Sequence, residues 1–389
     1  MTTSSGFIRP LDGLRIVEVS SFVASPLCGL TLAQLGAEVI RVDPVGGAAD
    51  VHRWPLTDGR GEAPAGTSIY WTGLNKGKRS VTADLRSEEG RRLVQRLVAD
   101  SGPGGGILVT NSGGRDWMSH ARLSADRSDV ITLELVGSSD GTPAVDYTVN
   151  AGLGFPALTG PDDHAGPVNH VLPAWDVICG VYAALAVTAA VRHRERTGQG
   201  SAIRLPLEDC ALSVASTLGY LTEPQVNASS RTRSGNDVYG TYGTDFTTAD
   251  GARFMIVALT TRHFRDLVDL TGTGDAVSAL ETALAADFTA ESDRYTHRRV
   301  LSALFARWFE THTAEQAEQA LAESSVLAQR YRTFEDVVSA GVLEANPLFA
   351  ELDQPGIGRF LAAAAPATFG GHYLAVPPAE DLGASTGRI

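Results

Sequence analysis

The protein has 389 residues, which allows about two to three domains and a substantial hydrophobic core that needs no disulfide or metal. Its 43% hydrophobic and 20% charged residues exclude extensive disorder, and its net charge of −13 disfavours nonspecific binding to nucleic acid or to an anionic membrane. The three cysteines form no C-x-x-C pair, and residues 1–10 lack a signal-peptide pattern. The longest apolar run, residues 180–191, is too short to span a bilayer. We therefore expect a cytoplasmic protein.

The first part of the chain alternates predicted strands with predicted helices. Five short apolar runs are predicted strands, at residues 14–19, 38–42, 80–85, 106–110 and 130–135. Helices are predicted between them, at residues 27–35, which end before Gly36, and at residues 88–99. Strand–helix–strand units of this length predict an α/β fold with a parallel sheet of the doubly wound kind.

Longer helices and a second β region follow. Residues 176–196 predict one long helix, because the run is rich in alanine, ends in cations and is followed by Gly198. The remaining predicted segments are a helix at residues 207–221, a polar linker at 222–234, strands at 239–247 and 253–259, helices within 263–322, and a proline-broken tail.

Several common catalytic motifs are absent from the sequence. The glycine-rich residues 102–106 lack the Lys-Ser/Thr of a P-loop and the spacing of a dinucleotide fingerprint, so we interpret them as a surface loop. The nine histidines show no metal-ligand spacing, and no G-x-S-x-G elbow occurs. No metal site is therefore predicted.

Two features remain open to a structural or a functional interpretation. Residues 75–79, NKGKR, form a cationic loop that is either a solvated turn or a site for an anion such as a phosphate. Asp176 is either the N-cap of the long helix or a partly desolvated nucleophile in the apolar setting of residues 171–175. His170 is a structural histidine or an acid–base partner.

Several sequence blocks resemble the class III CoA-transferases, the family that includes formyl-CoA transferase, carnitine CoA-transferase and α-methylacyl-CoA racemase. The blocks are LDGLRIVE at residues 11–18, LAQLGAEVIRV at 32–42, NKGKRS at 75–80, VNHVLPAWD at 168–176 and HRERTGQG at 193–200. They occur in the family's order and cover essentially the whole chain.

The resemblance implies a fold and an assembly. We expect an α/β protein whose large Rossmann-like domain is built from both chain ends, residues 1–226 and 331–389. A smaller α+β domain, residues 227–330, is expected to be inserted between them. The family also implies an interlocked homodimer.

The resemblance also implies a site for coenzyme A, with a CoA thioester as substrate and no prosthetic group. Asp176 falls at the family's catalytic aspartate. The matched CoA-binding positions are Val23, Ala24, Asn75, Lys78, Arg79, Ala83, Asp84, Leu85, Arg86, Asn111 and Gly113. Val136 and Gly137 match the turn that stabilises an oxyanion, and Arg41 is the candidate replacement for the family's adenosine-binding arginine.

The acyl part of the substrate requires groups that hold a free carboxylate. The cationic and hydroxyl candidates are Arg53, His170, Arg233, Tyr239 and Tyr242. Racemase members carry a histidine where this chain has Val145, so epimerisation is not expected.

Three functions stay open. Within the family, residues 145–150 and 168–176 resemble members that move CoA between the two carboxyl groups of mesaconate through an aspartyl-CoA intermediate. The alternatives are intermolecular CoA transfer to another small organic or dicarboxylic acid, and a catalytically silent CoA-binding protein.

Overall fold

The computed structural model describes residues 8–60 and 64–389, and elements are numbered in chain order. Residues 1–7 and 61–63 lie outside this description, and with them most of the stretch for which no signal peptide was predicted. The chain divides into two compact units. The first comprises Met1–Leu153, His170–Ala228 and Gly341–Ile389, and the second comprises Gly154–Asn169 and Ser229–Ala340.

A six-stranded parallel sheet forms the centre of the first unit, in the order β3-β2-β1-β4-β5-β6. Its strands are β1 (Arg15–Val19), β2 (Glu38–Pro44), β3 (Arg79–Ala83), β4 (Ile107–Thr110), β5 (Ile131–Val136) and β6 (Ser201–Pro206). The order reverses between β1 and β4, which are hydrogen-bonded neighbours. Ligands of such sheets bind beyond the carboxyl ends of the strands at this reversal.

Helices cover the sheet, because both faces of a parallel sheet must be buried. They are α1 (Ala24–Gln34), α2 (Ile69–Asn75), α3 (Glu88–Ala99), α4 (His120–Asp126), α5 (Asp146–Gly152), α7 (Ala174–Thr197), α8 (Leu207–Thr217) and α9 (Thr222–Asn227). A 3₁₀ turn, Asp116–Met118, precedes α4. The C-terminal part adds α16 (Val342–Ala345), the hairpin of β10 (Phe349–Gln354) and β11 (Gly358–Ala363), and the short pair β12 (Thr368–Phe369) and β13 (His372–Tyr373).

Helix α7 packs against α1, α8, β5 and β6. Among the described residues it is the one helix long and apolar enough to cross a membrane by length and composition, a property that core helices of folded domains share. Gly180 allows α7 to approach α1 closely, since a Cβ at this position would lie 2.7 Å from the carbonyl oxygen of Ala24.

The second unit has its own core of aromatic side chains under a three-stranded antiparallel sheet. Its strands are β7 (Tyr242–Thr247), β8 (Arg253–Ala258) and β9 (Leu327–Arg330). Its helices are α6 (Phe155–Leu158), α10 (Thr261–Thr271), α11 (Gly274–Leu284), α12 (Glu291–Thr296), α13 (Arg298–Glu310), α14 (Ala314–Ala322) and α15 (Phe334–Ser339).

The predicted linker at residues 222–234 was wrong in its first half, where α9 forms; Pro224 lies in the first turn, which tolerates proline. The segment 227–330, predicted as an insertion, lies in the second unit apart from its first two residues, and that unit also includes residues 154–169 and 331–340. Strand β6 was not predicted.

Candidate functional site

A cavity of about 440 Å³ lies in the first unit at the carboxyl ends of β1, β4 and β5. Seven residues predicted for the site line it: Val23, Ala24, Arg53, Asn111, Val136, Gly137 and Asp176. The sequence interpretation missed the other lining residues: Phe22, Trp54, Tyr70, Leu135, Ala144, Val145, Asp146, Tyr147, Pro173, Cys179 and Leu207. The structure therefore brings the predicted nucleophile together with the end of β5 and with the first loop, residues 20–23, which joins β1 to α1.

Asp176 is the third residue of α7, and the N-cap of that helix is Pro173, which offers no side-chain acceptor. The interpretation of Asp176 as the N-cap is therefore wrong. The acceptor comes from Asp146, whose Oδ2 accepts the backbone N–H of Trp175 at 2.8 Å and that of Asp176 at 3.1 Å. Because a distant carboxylate satisfies these two amides, the side chain of Asp176 is left available to the cavity.

Asp146 is itself held by His170. The side chain of Asp146 is 2% exposed, and its Oδ1 lies 2.6 Å from Nε2 of His170. The imidazole also packs edge-on against the ring of Tyr147, with ring centroids 5.8 Å apart. His170, predicted as a substrate ligand, is thus placed against Asp146 and is not among the residues that line the cavity.

The electrostatic setting of Asp176 makes its carboxylate unusual. Burial and the nearby charge of Asp146 raise the pKa of this carboxyl, the cation of Arg53 opposes both, and the net effect is a pKa of about 6. Within the described residues the carboxylate makes no hydrogen bond or ion pair. At neutral pH it is therefore ionised but poorly solvated, the state in which a carboxylate is most nucleophilic.

Two helices begin at this cavity, since Val23 and Ala24 start α1 and Pro173 and Asp176 start α7. Helix N-termini carry unsatisfied N–H groups and a partial positive charge. The cavity is therefore suited to negative charge that develops during a reaction, although most of its lining is apolar.

A second cavity of about 480 Å³ lies in the same unit beside the first loop. It is lined by Asp84, Leu85 and Arg86, three of the predicted CoA-binding residues, together with Ser21, Ser112 and Arg115 among others. Ala83 is the buried last residue of β3 that leads into this stretch.

Both cavities are lined by the first loop and by the loop that follows β4, residues 111–115. Ser21 donates its N–H to Oδ1 of Asn111 at 3.1 Å, and the Asn111 amide donates to the carbonyl of Ser21 at 2.7 Å. Gly113 follows in this loop, where a Cβ would lie 1.6 Å from Oε1 of Glu134, so only glycine fits without a shift.

Arg41 and Lys78 belong to a buried ion cluster formed by Glu18, Arg41, Asp43, Asp50 and Lys78. Arg41 binds Asp43 at 2.9 Å and Asp50 at 3.1 Å, while Nζ of Lys78 lies 2.9 Å from Oε2 of Glu18. Each of these side chains is at most 1% exposed. The structure therefore places both cations inside the protein, and neither residue lines either cavity.

The neighbouring predicted CoA ligands are also engaged internally. Asn75 is buried, accepts a hydrogen bond from Arg41 at 3.0 Å and donates to the carbonyl of Trp71 at 2.8 Å. Arg79 pairs with Glu38 at 2.9 Å on the sheet edge. The cationic loop of residues 75–79 is thus neither a solvated turn nor, in this structure, a lining of the two cavities.

Three predicted substrate ligands lie in the second unit. The hydroxyl of the buried Tyr242 is 2.9 Å from Oγ of Ser302. Arg233 donates to the carbonyls of Pro156 at 3.1 Å and Gly166 at 2.8 Å, and Tyr239 packs against Arg231. None of the three lines the cavity that contains Asp176.

The described residues contain no group of three or more histidine, cysteine or acidic side chains that could hold a metal ion. Of the missed lining residues, Asp146 and Tyr147 lie in a block that carried the family resemblance, which was a usable signal. Tyr70 lies on α2, a short helix that the sequence pattern did not predict.

Residues 11–383 match CoA-transferase family III. The chain therefore belongs to this family, a class of proteins whose substrates are CoA thioesters, as the sequence blocks predicted. It is 42% identical to the 2-methylfumaryl-CoA isomerase of Chloroflexus aurantiacus over 383 aligned residues. This alignment covers 97% of this chain and 92% of that protein. It is also 29% identical over 369 residues to the succinyl-CoA–D-citramalate CoA-transferase of that organism, with 90% and 85% covered.

Solved structures agree on the fold. A CaiB/BaiF family protein from Brucella suis superimposes with a TM-score of 0.79 at 27% identity over 97% of both chains. Rv3272 from Mycobacterium tuberculosis gives a TM-score of 0.80 at 25% identity over 98% of this chain and 99% of that one. The predicted mixed α/β fold with a parallel central sheet is confirmed.

Proposed function

We propose that this protein is an intramolecular CoA transferase that moves CoA between the two carboxyl groups of mesaconate, a 2-methylfumaryl-CoA isomerase. The observation that carries the proposal is the carboxylate of Asp176, which has no hydrogen-bond or ion-pair partner among the described residues and faces a mostly apolar cavity at the start of α7. The 42% identity to a 2-methylfumaryl-CoA isomerase supports the choice of substrate.

The reaction proceeds by covalent relay on Asp176. A carboxylate oxygen of Asp176 attacks the thioester carbonyl, the C–S bond breaks, and CoA leaves as a thiolate. The product of this step is a mixed anhydride of Asp176 and the acid. The thiolate then attacks the aspartyl carbonyl, the anhydride C–O bond breaks, and mesaconate is released into the cavity beside an aspartyl-CoA thioester.

The return steps exchange the ends of the acid. The other carboxylate of mesaconate attacks the aspartyl-CoA carbonyl and expels the thiolate, which gives the second anhydride. The thiolate attacks the substrate carbonyl of this anhydride, and Asp176 leaves as a carboxylate. No proton is gained or lost in any step, so the site needs a nucleophile and oxyanion stabilisation but no acid–base pair. The candidates for oxyanion stabilisation are the backbone N–H groups at Gly137 and at the start of α1.

CoA is proposed to lie along the first loop. Its pantetheine end reaches Asp176 past Val23, Ala24 and Asn111, and its nucleotide end occupies the second cavity near Asp84–Arg86, where Arg86 and Arg115 offer cations to phosphates. The shared Ser21–Asn111 hydrogen bonds support a single ligand that runs across both cavities.

We also propose a homodimer, as the family resemblance implies. Helix α7 leaves Val181, Tyr182 and Leu185 exposed at 52%, 48% and 61% along one face. Such a row of exposed apolar side chains is typical of a protein interface. Light scattering of the purified protein tests this assembly.

The decisive experiment supplies the purified protein with 2-methylfumaryl-CoA and no other acid. We expect conversion to 3-methylfumaryl-CoA, resolved by chromatography, and a hydroxamate at Asp176 when hydroxylamine is added during turnover, detected by mass spectrometry. Turnover that strictly requires an added acid favours the intermolecular transferase, for which the 29% identity to a citramalate CoA-transferase is the supporting observation. No conversion under either condition, with CoA binding retained, favours a silent CoA-binding protein.

A further inference from the structure

Arg53 is the one basic side chain that lines the Asp176 cavity in the described part of the chain. Its guanidinium lies 5.6 Å from the ring centroid of Phe22 and 5.2 Å from that of Tyr70. Within the residues that the structure describes, the guanidinium makes no hydrogen bond and no ion pair. A cation that lies near two aromatic rings and has no anionic partner is available to bind an anion.

The hydroxyl of Tyr70 is the second unused group. Its oxygen is buried, and no hydrogen-bond partner for it exists among the described residues. A buried hydroxyl without an acceptor is costly, and because Tyr70 lines the cavity, an oxygen of a bound ligand can supply that acceptor. Burial raises the pKa of Tyr70 to about 12, so the hydroxyl keeps its proton and remains a donor at neutral pH.

One serine joins the two backbone segments that carry these side chains. The hydroxyl of Ser68 donates to the carbonyl of Arg53 at 2.5 Å, and the same oxygen accepts the N–H of Trp71 at 3.0 Å as the N-cap of α2, the helix that carries Tyr70. The two groups therefore form a preorganised pair rather than two independent surface side chains.

We propose that Arg53 and Tyr70 form a seat for the carboxylate of the dicarboxylic acid that is not joined to CoA. This inference rests on the proposed function and deepens it. Each regioisomer of the CoA ester then places one carboxyl carbon at Asp176 and the other carboxylate at the seat. When aspartyl-CoA has formed, the seat retains the free acid, and this retention makes the transfer intramolecular.

The charges in the cavity support the same assignment. Asp146 and Asp176 both line it, so a dicarboxylate would meet repulsion throughout the site if Arg53 were absent. Arg53 lies close enough to Asp176 to lower the pKa of that carboxyl against the effect of burial. A short dicarboxylate can therefore face both groups from within one cavity of about 440 Å³.

The test compares two thioesters that differ in one group. Tiglyl-CoA is 2-methylfumaryl-CoA with a methyl group in place of the free carboxylate. Dissociation constants of both are measured by calorimetry on the full chain carrying Asp176→Asn, so that binding is read without turnover. We expect 2-methylfumaryl-CoA to bind on the order of 10–100-fold more tightly than tiglyl-CoA.

The variants locate the source of that preference. Arg53→Gln is expected to abolish it, Tyr70→Phe to reduce it several-fold while keeping the ring under the guanidinium, and Arg60→Gln, an exposed control, to leave it unchanged. If Arg53→Gln or Tyr70→Phe folds but keeps the full preference, or if Arg60→Gln loses it equally, the proposal is overturned.

A second measurement tests retention of the acid. With Asp176 intact and ¹³C-mesaconate in solution, we expect little label in the CoA ester for the wild type and a rise of about tenfold or more for Arg53→Gln. Equal labelling in both proteins would overturn the retention step. A preference that depends on Arg53 in a protein unable to isomerise 2-methylfumaryl-CoA would refute the proposed function while supporting the seat.

Discussion

Two regions of the first unit bury carboxylates in opposite ways. In the buried ion cluster, Glu18, Asp43 and Asp50 each bind the guanidinium of Arg41 or the ammonium of Lys78. In the cavity, the carboxylate of Asp176 has no such partner among the described residues. Burial alone would lower the pKa of Arg41. Its hydrogen bonds to Asp43 and the charges of the neighbouring carboxylates outweigh this effect and raise the pKa.

The difference between these regions separates structure from reactivity. A carboxylate that is paired and hydrogen-bonded inside a protein has its charge engaged by its partners and gains little by attacking a carbonyl. A carboxylate that is desolvated without a partner is less stable and more nucleophilic. The predictions below set substitutions in the two regions against each other.

The largest expected effect is on catalysis at Asp176. Asp176→Asn should lower turnover by on the order of 10³-fold or more, because the relay loses its nucleophile. Rates are compared with those of Asp126→Asn, an exposed helix-surface control. Turnover within tenfold of the wild type would contradict the covalent mechanism.

The same variant should stabilise the protein at neutral pH. Because burial raises the folded-state pKa of Asp176 from 3.8 to about 6, the stabilising contribution of its protonated form is present below pH 4 and is lost as the pH rises through 6. After allowance for solvent screening, Asp176→Asn should raise the free energy of unfolding at pH 7.5 by about 1–2 kcal/mol. The gain should vanish near pH 4 in urea titrations.

The ion cluster should respond in the opposite sense. Arg41→Gln leaves Asp43 and Asp50 buried without their cation, and we expect the free energy of unfolding to fall by about 3–5 kcal/mol. Arg79→Gln breaks an ion pair with Glu38 whose side chains are about one-third exposed. We expect this variant to change the free energy of unfolding by less than about 1 kcal/mol. Similar losses for both variants in urea denaturation would remove the distinction between the regions.

A smaller effect is expected where α7 meets α1. Gly180→Ala would place a Cβ 2.7 Å from the Ala24 carbonyl and 3.0 Å from Leu27, so the helices must separate. We expect a loss of about 1–3 kcal/mol in stability together with reduced activity, because Ala24 lines the cavity. Gly73→Ala in α2 meets no atom within 4 Å and should stabilise by about 0.5–1 kcal/mol.

The smallest effect concerns the pH profile. Since the ionised nucleophile is the active form, kcat/KM should rise with pH to a plateau above about 6. Asp146→Asn removes a like charge but keeps an oxygen that can accept the Trp175 N–H. The midpoint of the pH profile of this variant should therefore fall by roughly 0.5–1 pH unit. Arg53→Gln should shift the midpoint upward. A shift of the opposite sign in either variant would show that the charge removed there does not act on Asp176 as described.

Much of the first unit could be predicted from local pattern. Helix α3 has the predicted bounds, because Ser87 accepts the Gly90 N–H as an N-cap and apolar residues follow at helical spacing. Strand β6 escaped prediction since its residues alternate between half-buried and exposed and include Arg204. Edge strands of this kind resemble loops in composition.

The pairing of charges could not be read from the sequence. Lys78 meets Glu18 across 60 residues, and Asp146 caps α7 from 29 and 30 residues away. These contacts depend on the crossing of strands and helices, which local propensity does not encode. The family resemblance located Asp176, but the pattern alone assigned it the capping role that Asp146 performs.

One carboxylate links the two regions. Asp50 accepts hydrogen bonds from Arg41 in the ion cluster and, at 2.9 Å, from the backbone N–H of Phe22, a residue with a φ of +67° on the wall of the cavity. The amide hydrogen of Phe22 is therefore held by an acceptor that is anchored in the protein core. This hydrogen bond should slow the exchange of that hydrogen with solvent and hold the backbone of the cavity wall in place before any ligand arrives.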